Sequence, residues 1–262
     1  MIPQYASALL ISDLHLTPSM PLTAQRFFDF CEKDASQVEA VFILGDLFEY
    51  WIGDDASAHS PFQQEVKRAL ANLSAKTKTY YIHGNRDFLV GPAFLKKTGM
   101  TALSDPSLVE LAGQQYLLSH GDALCTADVG YQIFRSWTRK PWLQKGFLCL
   151  PLAWRRSVAN HLRGNSHAQY QRNARASYQK NQIKTNVTQQ ACAAILRSHS
   201  VDKLIHGHTH LPAHHQEQLG EQSWQRWVLS DWDLDHPEGA RPRASALMIN
   251  AQGVRAIDLI KS

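Results

Sequence analysis

No apolar run in this chain reaches the roughly 18 residues that a membrane-spanning helix needs. The longest, Phe147 to Trp154, is eight residues and carries Pro151. Cysteine is scarce. Cys31, Cys125, Cys149 and Cys192 stand far apart with no C-x-x-C pair, which argues against a disulfide framework or a thiolate zinc site. Low-complexity tracts and internal repeats are missing, and 44% hydrophobic residues exclude intrinsic disorder. The N-terminus shows no basic region, apolar core and cleavage site of a secretory signal, so the cytosol is the expected compartment. The most pointed absence is of acid: from Val129 to Val201 there is no Asp and no Glu in 73 residues.

That acid-free stretch carries twelve Lys/Arg, leaving 15 basic against 23 acidic residues elsewhere, although the whole chain is only +4. A solvated helical face would account for some of this, but an ordinary face mixes signs. An acidic body with a strongly basic segment suggests that the segment meets something anionic.

The 262 residues fit one large domain, or one domain with an insertion. Short apolar runs (Ala8 to Ile11, Val41 to Leu44, Tyr80 to Ile82, Tyr116 to Leu118, Lys203 to Ile205) read as buried strands. Helical patterns lie between them, at Leu22 to Ala35 and after Ser60-Pro61, an N-cap followed by proline at the first helical position. This alternation predicts an α/β fold with a buried, partly parallel sheet. The segment from Tyr131 to Ile183 has helical periodicity and no strand runs, so it reads as a helical insertion. The expected division is a core at 1–130 and 186–262 with a helical cap at 131–185. Asn186 to His199 returns to helix, and the tail reads as antiparallel strands at Arg226 to Leu229, Ala244 to Ile249 and Val254 to Ile260.

Five strand-like runs lead into polar residues that can bind metal: Asp13 and His15, Asp46, Asn85, His120, and His208 and His210. Sites in open α/β sheets lie outside the carboxyl ends of strands, so all five loops can converge on one edge. Side chains two apart in an extended strand point the same way, which pairs Asp13 with His15 and His208 with His210. Oxygen and imidazole donors without thiolate suit Mn²⁺, Fe²⁺ or Zn²⁺. Seven donors exceed what one catalytic ion takes from protein, so two ions sharing a carboxylate fit better. Any one of these residues alone would read as an ordinary turn or core residue; the pattern across all five loops carries the inference. His206 points away from the last pair and is left out, as are His83, His214, His215 and His236.

The order Asp13-x-His15, Gly45-Asp46, Gly84-Asn85, His120 and Gly207-His208-x-His210 resembles the calcineurin-like metallophosphoesterase superfamily. The resemblance implies an α/β/β/α sandwich. It implies one ion on Asp13, His15, Asp46 and His210, and a second on Asp46, Asn85, His120 and His208, with Asp46 bridging. Most members have His after the Gly-Asn, poised to protonate a leaving group; here Arg86 stands there. Arginine does not deprotonate in proteins, but it stabilises phosphoryl charge. A site without that donor favours a leaving group that needs no proton, which points to a pyrophosphate bond.

The stretches GDLFEYWIGDD, HGNRDF, HGDALCTADVGYQ and KPWLQ are similar to the UDP-2,3-diacylglucosamine hydrolases of the lipid A pathway. That resemblance implies Mn²⁺-dependent attack of water on the α-phosphorus of a lipid-linked UDP-sugar, with Asp46 and Arg86 as catalytic residues. Asn85, Arg86, Asp128, Ser166 and His208 would contact substrate. It also implies a peripheral enzyme on the cytoplasmic face of the inner membrane, with no nucleic acid or obligate protein partner. After Asn165-Ser166 the chain departs from the family pattern, with Tyr170 and Asn173 where an Asn and a Lys are usual. The aliphatic residues and tryptophans of the insertion either form its own core or line a groove for acyl chains, while Arg155, Arg156 and Arg163 meet anionic lipid. The alternatives are another two-metal phosphodiesterase or nuclease of the superfamily, for which stacking aromatics on a basic groove would be expected, and a non-catalytic scaffold, which would be expected to lose ligands.

Overall fold

The computed structural model describes residues 2–161, 186–236 and 241–260. Arg163, Ser166, Tyr170 and Asn173 lie outside the described residues, as does most of the second half of the expected insertion. In chain order the strands are β1 (Gln4–Tyr5), β2 (Ala8–Ile11), β3 (Ala40–Leu44), β4 (Lys78–Ile82), β5 (Thr101–Ala102), β6 (Ser107–Leu111), β7 (Gln114–Ser119), β8 (Lys203–His206), β9 (Ala213–Leu219), β10 (Gln222–Val228), β11 (Ser245–Asn250) and β12 (Gly253–Asp258). The helices are α1 (Pro21–Asp29), α2 (Pro61–Ser74), α3 (Pro92–Thr98), α4 (Val129–Thr138), α5 (Pro141–Leu148), α6 (152–161) and α7 (Gln189–Ser198).

The strands form two six-stranded sheets, ordered β12-β11-β2-β3-β4-β5 and β1-β6-β7-β8-β10-β9. In the first, β2 to β5 are mutually parallel, β11 runs antiparallel to β2, and β12 runs antiparallel to β11. In the second, β7, β8 and β10 are parallel. Side-chain alternation builds the layers. On β2, Leu9 and Ile11 pack with Phe27, Val66, Leu70 and Phe94 under α1 to α3. Ala8 and Leu10 face the other way, into a core between the sheets shared with Phe42, Leu118, Ile205 and Trp227. The outer face of the second sheet packs Leu117, Leu204 and Trp224 against Cys192 and Leu196 of α7. The result is the expected α/β/β/α sandwich. Strands buried on both faces read as unbroken apolar runs, which is why β2, β3 and β8 are visible in the sequence.

Helix α2 starts where the N-cap reading places it: Ser60 Oγ accepts from Gln63 N at 3.3 Å, with Pro61 as the first helical residue. Three expectations shift. The helix from Leu22 becomes α1 followed by a π turn at Phe30–Asp34. The first tail strand joins the second sheet, parallel to β8, whereas the last two join the first sheet. Strand β9 is unanticipated because its sequence, AHHQEQL, is a mostly exposed edge with no apolar alternation.

Candidate metal centre

The parallel strands deliver the expected residues to one rim. β2 ends before Asp13, β3 before Asp46, β4 before Asn85, β7 before His120, and β8 before His208 and His210. Backbone bonds lock the loops together: Asp13 N to Gly45 O (3.1 Å), His15 N to Asp46 O (3.0 Å) and Gly207 N to His120 O (3.0 Å). Asp13, His15 and His210 offer donor atoms within 4.8 Å of one another, and so do Asp13, Asp46 and His120. Asp13 is common to both groups. The His208 ring lies 5.1 Å from that of His120, and Asn85 Oδ1 lies 2.9 Å from His120 Nε2.

The pairs reach this rim by a different backbone route from the one expected. They sit beyond the strands, and Asp13, His15, Asp46, His208 and His210 all have positive φ, five of the seven non-glycine residues that do among the described residues. Strand alternation is therefore not what aligns Asp13 with His15. A left-handed residue costs free energy unless its surroundings fix it, and such residues cluster at functional sites. Part of the fixing comes from Asp87, which is fully buried. Its oxygens accept from the backbone N of Asp46 (3.3 Å), Leu47 (2.7 Å), Phe48 (3.3 Å) and Gly84 (2.9 Å). Close approach matters at Gly84, where a Cβ would lie 2.1 Å from Asp46 Oδ1.

The donors are arranged as a cation requires. His15 Nδ1 faces Glu49 Oε2 at 3.5 Å, and His210 Nδ1 faces Asp231 Oδ2 at 3.6 Å. Carboxylates thus stand behind both Nδ1 atoms, although His15 Nδ1 makes no hydrogen bond among the described residues, and the two Nε2 atoms face each other at 3.3 Å. Asp13 Oδ1 is buried without a hydrogen-bond partner among the described residues, 3.4 Å from His210 Nε2. On the other side, His120 Nδ1 donates to Leu44 O at 2.8 Å, leaving Nε2 toward Asp46 Oδ1 at 3.8 Å. Buried acceptors converging on acceptors are costly unless a positive charge lies among them. The residues present fit divalent metal.

Burial pushes the Asp46 carboxyl up to about 7, with Asp87 and Asp13 adding to the rise against the pull of His120. Burial disfavours charge on His120, but the Asp46 and Asp13 carboxylates outweigh it and hold the imidazolium up to about 9. Were His120 to bind a cation, its imidazole would have to be neutral and that proton would be displaced. The Kd for Mn²⁺ is expected to fall by up to about tenfold per pH unit from pH 7 to 9, read by Mn²⁺ titration of the metal-free protein. A flat profile over that window would count against His120 as a ligand. The sign for stability is opposite. The folded pKa exceeds the unfolded value, so the His120 contribution to the metal-free fold is full below about pH 6.5. It is lost as pH rises through about 9.

Arg86 projects from this rim, its Nη1 2.9 Å from Glu49 Oε1 and its backbone N 2.8 Å from Asp46 Oδ1. Asp128 caps α4, its Oδ1 accepting from Tyr131 N at 3.0 Å. Tyr131 in turn stacks on His208 at 6.1 Å and bonds Asp122 Oδ2 at 2.6 Å. Arg135 donates to Asp122 (2.8 Å) and Arg139 to Gly84 O (2.8 Å), so α4 is seated on the metal loops. Arg155 corrects an expectation. It is buried, donating to Ile52 O at 2.6 Å and pairing with Asp55, and so is turned away from any lipid. Sequence reasoning did not assign Glu49, Asp122 or Asp231 to the site, although Glu49 lies inside the GDLFEYWIGDD stretch and Asp122 inside HGDALCTADVGYQ; Asp231 left no local signal.

Residues 7–212 match the calcineurin-like phosphoesterase family model. The chain is similar to the UDP-2,3-diacylglucosamine hydrolase of Ralstonia nicotianae, 45% identical over 91% of this chain and 87% of that protein. It is 47% identical to that of Aeromonas hydrophila, over 86% and 90%, and 41% identical to that of Escherichia coli O7:K1, over 92% and 95%.

Proposed function

The chain belongs to the calcineurin-like phosphoesterases and, within them, to the UDP-2,3-diacylglucosamine hydrolases, and on that premise we propose that it cleaves the pyrophosphate bond of UDP-2,3-diacylglucosamine. The products are UMP and 2,3-diacylglucosamine 1-phosphate, an intermediate of lipid A biosynthesis. The observation that carries the reading is the convergence of Asp13, His15, Asp46, His120 and His210, with Arg86 beside them where a protonating residue would otherwise stand.

In this reading Asp13, His15, Asp46 and His210 would hold one Mn²⁺, and Asp46, Asn85, His120 and His208 a second, with Asp46 contributing to both. Divalent cations on such donors supply Lewis acidity toward phosphoryl oxygens and lower the pKa of water. A water oxygen forms the new bond at the α-phosphorus while its protons pass to solvent, the bond to the bridging oxygen breaks, and its electron pair leaves with the sugar 1-phosphate. That leaving group needs no proton donor, because a phosphate has a second pKa near about 6. Arg86 holds charge on the phosphoryl oxygens, and Asn85, His208 and Asp128 orient the substrate; Ser166 is assigned the same task on sequence grounds alone.

The described part of the expected insertion, residues 131–161, is taken as a cap over this rim. No described helix is long and apolar enough to cross a membrane. Eight of the fourteen large exposed apolar side chains among the described residues nevertheless lie on α4 to α6, including Trp142 (62% exposed) and Trp154 (65%). Patches of this kind mark membrane or acyl-chain contact, which supports peripheral binding at the cytoplasmic face of the inner membrane. Replacing Trp142 and Trp154 by Ser is expected to weaken binding to phosphatidylglycerol-containing vesicles by roughly tenfold or more, measured by co-sedimentation. Unchanged binding would remove these helices from the membrane contact.

The reaction is tested by incubating purified protein with UDP-2,3-diacylglucosamine and Mn²⁺ in ¹⁸O-labelled water. The label is expected in UMP. Label in the sugar phosphate would place the attack on the other phosphorus, and no cleavage would overturn the substrate assignment.

A further inference from the structure

Behind the loop that carries His208 and His210 runs a row of buried polar side chains that the proposed reaction does not use. It crosses the sheet face covered by α7. Arg226 on β10 is 5% exposed. Its Nε and Nη2 donate to Oε1 of Glu217 on β9, at 3.2 and 2.5 Å. Its Nη1 lies 3.2 Å from Nε2 of His206, the fully buried last residue of β8. A guanidinium has only donors, so Nε2 of His206 accepts and the ring proton sits on Nδ1. That Nδ1–H donates to the Gly207 carbonyl oxygen at 2.8 Å. The same planar peptide unit carries the His208 N–H, which donates to Asp13 Oδ2 at 2.8 Å. One rigid plane is thus gripped at its oxygen by the row and at its hydrogen by a metal-centre carboxylate.

We propose that Glu217, Arg226 and His206 form a positioning relay that fixes the Gly207–His208 peptide and through it aims Asp13 and His208 into the metal centre. The inference rests on the metal-dependent hydrolysis proposed above. Three features support it. His208 has φ 67, a conformation that persists only where the surroundings impose it. Gly207 is pressed against the carboxylate, since a Cβ there would lie 2.3 Å from Asp13 Oδ2 and from Ser12 Oγ, so a rotation of this peptide is felt at Asp13. A buried ion pair contributes little to stability compared with apolar side chains of similar volume, yet apolar side chains could not select the His206 tautomer. With the other tautomer, a ring lone pair would face the Gly207 carbonyl. Outer partners of this kind commonly set metal affinity by about 10- to 100-fold.

The test uses the full chain, stripped of metal and titrated with Mn²⁺ while free Mn²⁺ is followed by electron paramagnetic resonance. The double variant Glu217→Met/Arg226→Met removes both charges together and leaves none stranded. It is expected to melt within a few degrees of the natural protein, to bind Mn²⁺ about 10- to 100-fold more weakly, and to lose kcat with KM little changed. Arg226→Lys keeps a donor toward His206 and is expected to restore the Mn²⁺ Kd to within about threefold of the natural value. A natural Kd in the double variant overturns the relay, as does equal damage in the double variant and Arg226→Lys, which would reveal a packing role. Should the double variant not fold, His206→Phe keeps the ring and removes the Nδ1 donor. The same weakening is expected there, and a natural Kd overturns the relay. Natural protein that takes up no Mn²⁺ overturns the proposed function and the relay with it.

Discussion

The Asp46→Asn variant is expected to lose at least about 1000-fold in kcat at saturating Mn²⁺, because several kcal/mol of transition-state charge stabilisation depends on this carboxylate. It should nonetheless fold at least as well as the natural chain when metal is absent. The Asp46 carboxylate is 2% exposed and lies among Asp13 and Asp87, whose charges and the burial oppose its ionisation. An amide removes that unfavourable charge. Its oxygen still accepts the Arg86 N–H bond that Asp46 Oδ1 makes at 2.8 Å. The pair of measurements is kcat and the metal-free Tm, with the Tm rise on adding Mn²⁺ as a third. Loss of activity, loss of the Mn²⁺-induced rise and an undiminished metal-free Tm together assign the defect to cation binding. Retention of more than about a tenth of natural turnover would contradict the shared-ligand role.

Arg86→Lys should cost about 100- to 1000-fold in kcat, the usual loss when one preorganised donor to developing charge is removed. Its Mn²⁺ affinity should stay within about threefold. The two effects separate because lysine retains the backbone N–H that donates to Asp46 Oδ1 and a positive charge beside Glu49. Its guanidinium is 40% exposed at the rim, where Glu49 Oε1 holds it at 2.9 Å, and a bound pyrophosphate would compete with Glu49 for it. Lysine keeps the charge but not the planar fork that binds phosphate through two parallel bonds. Steady-state kinetics with a Mn²⁺ titration reads both. A variant with near-natural kcat would leave the phosphoryl charge to the cations alone.

The candidate site was legible because metal chemistry restricts side-chain types and strand ends restrict places. Asp13, Asp46, Asn85, His120 and the Gly207 to His210 segment each follow a run that is apolar because both of its faces are buried. The partners that aim these ligands were not legible. Asp231 and Glu217 leave no mark in the sequence, and Glu49 only its place in the GDLFEYWIGDD stretch, until folding puts them behind His210, Arg226 and His15. The left-handed backbone at the ligands has no local signature either, since aspartate and histidine take many conformations. Basic residues misled for a related reason. Arg135, Arg139 and Arg155 look like a surface for anions, but carboxylates and carbonyls from loops distant in sequence draw them inward. Edge strand β9 stayed hidden because an exposed strand needs no apolar period.

The most direct test of the dinuclear centre is a crystal of the Mn²⁺-loaded protein measured at the manganese absorption edge. Two anomalous peaks are expected, one bounded by Asp13, His15, Asp46 and His210, the other by Asp46, Asn85, His120 and His208. One peak alone, or peaks that do not share Asp46, would contradict the account.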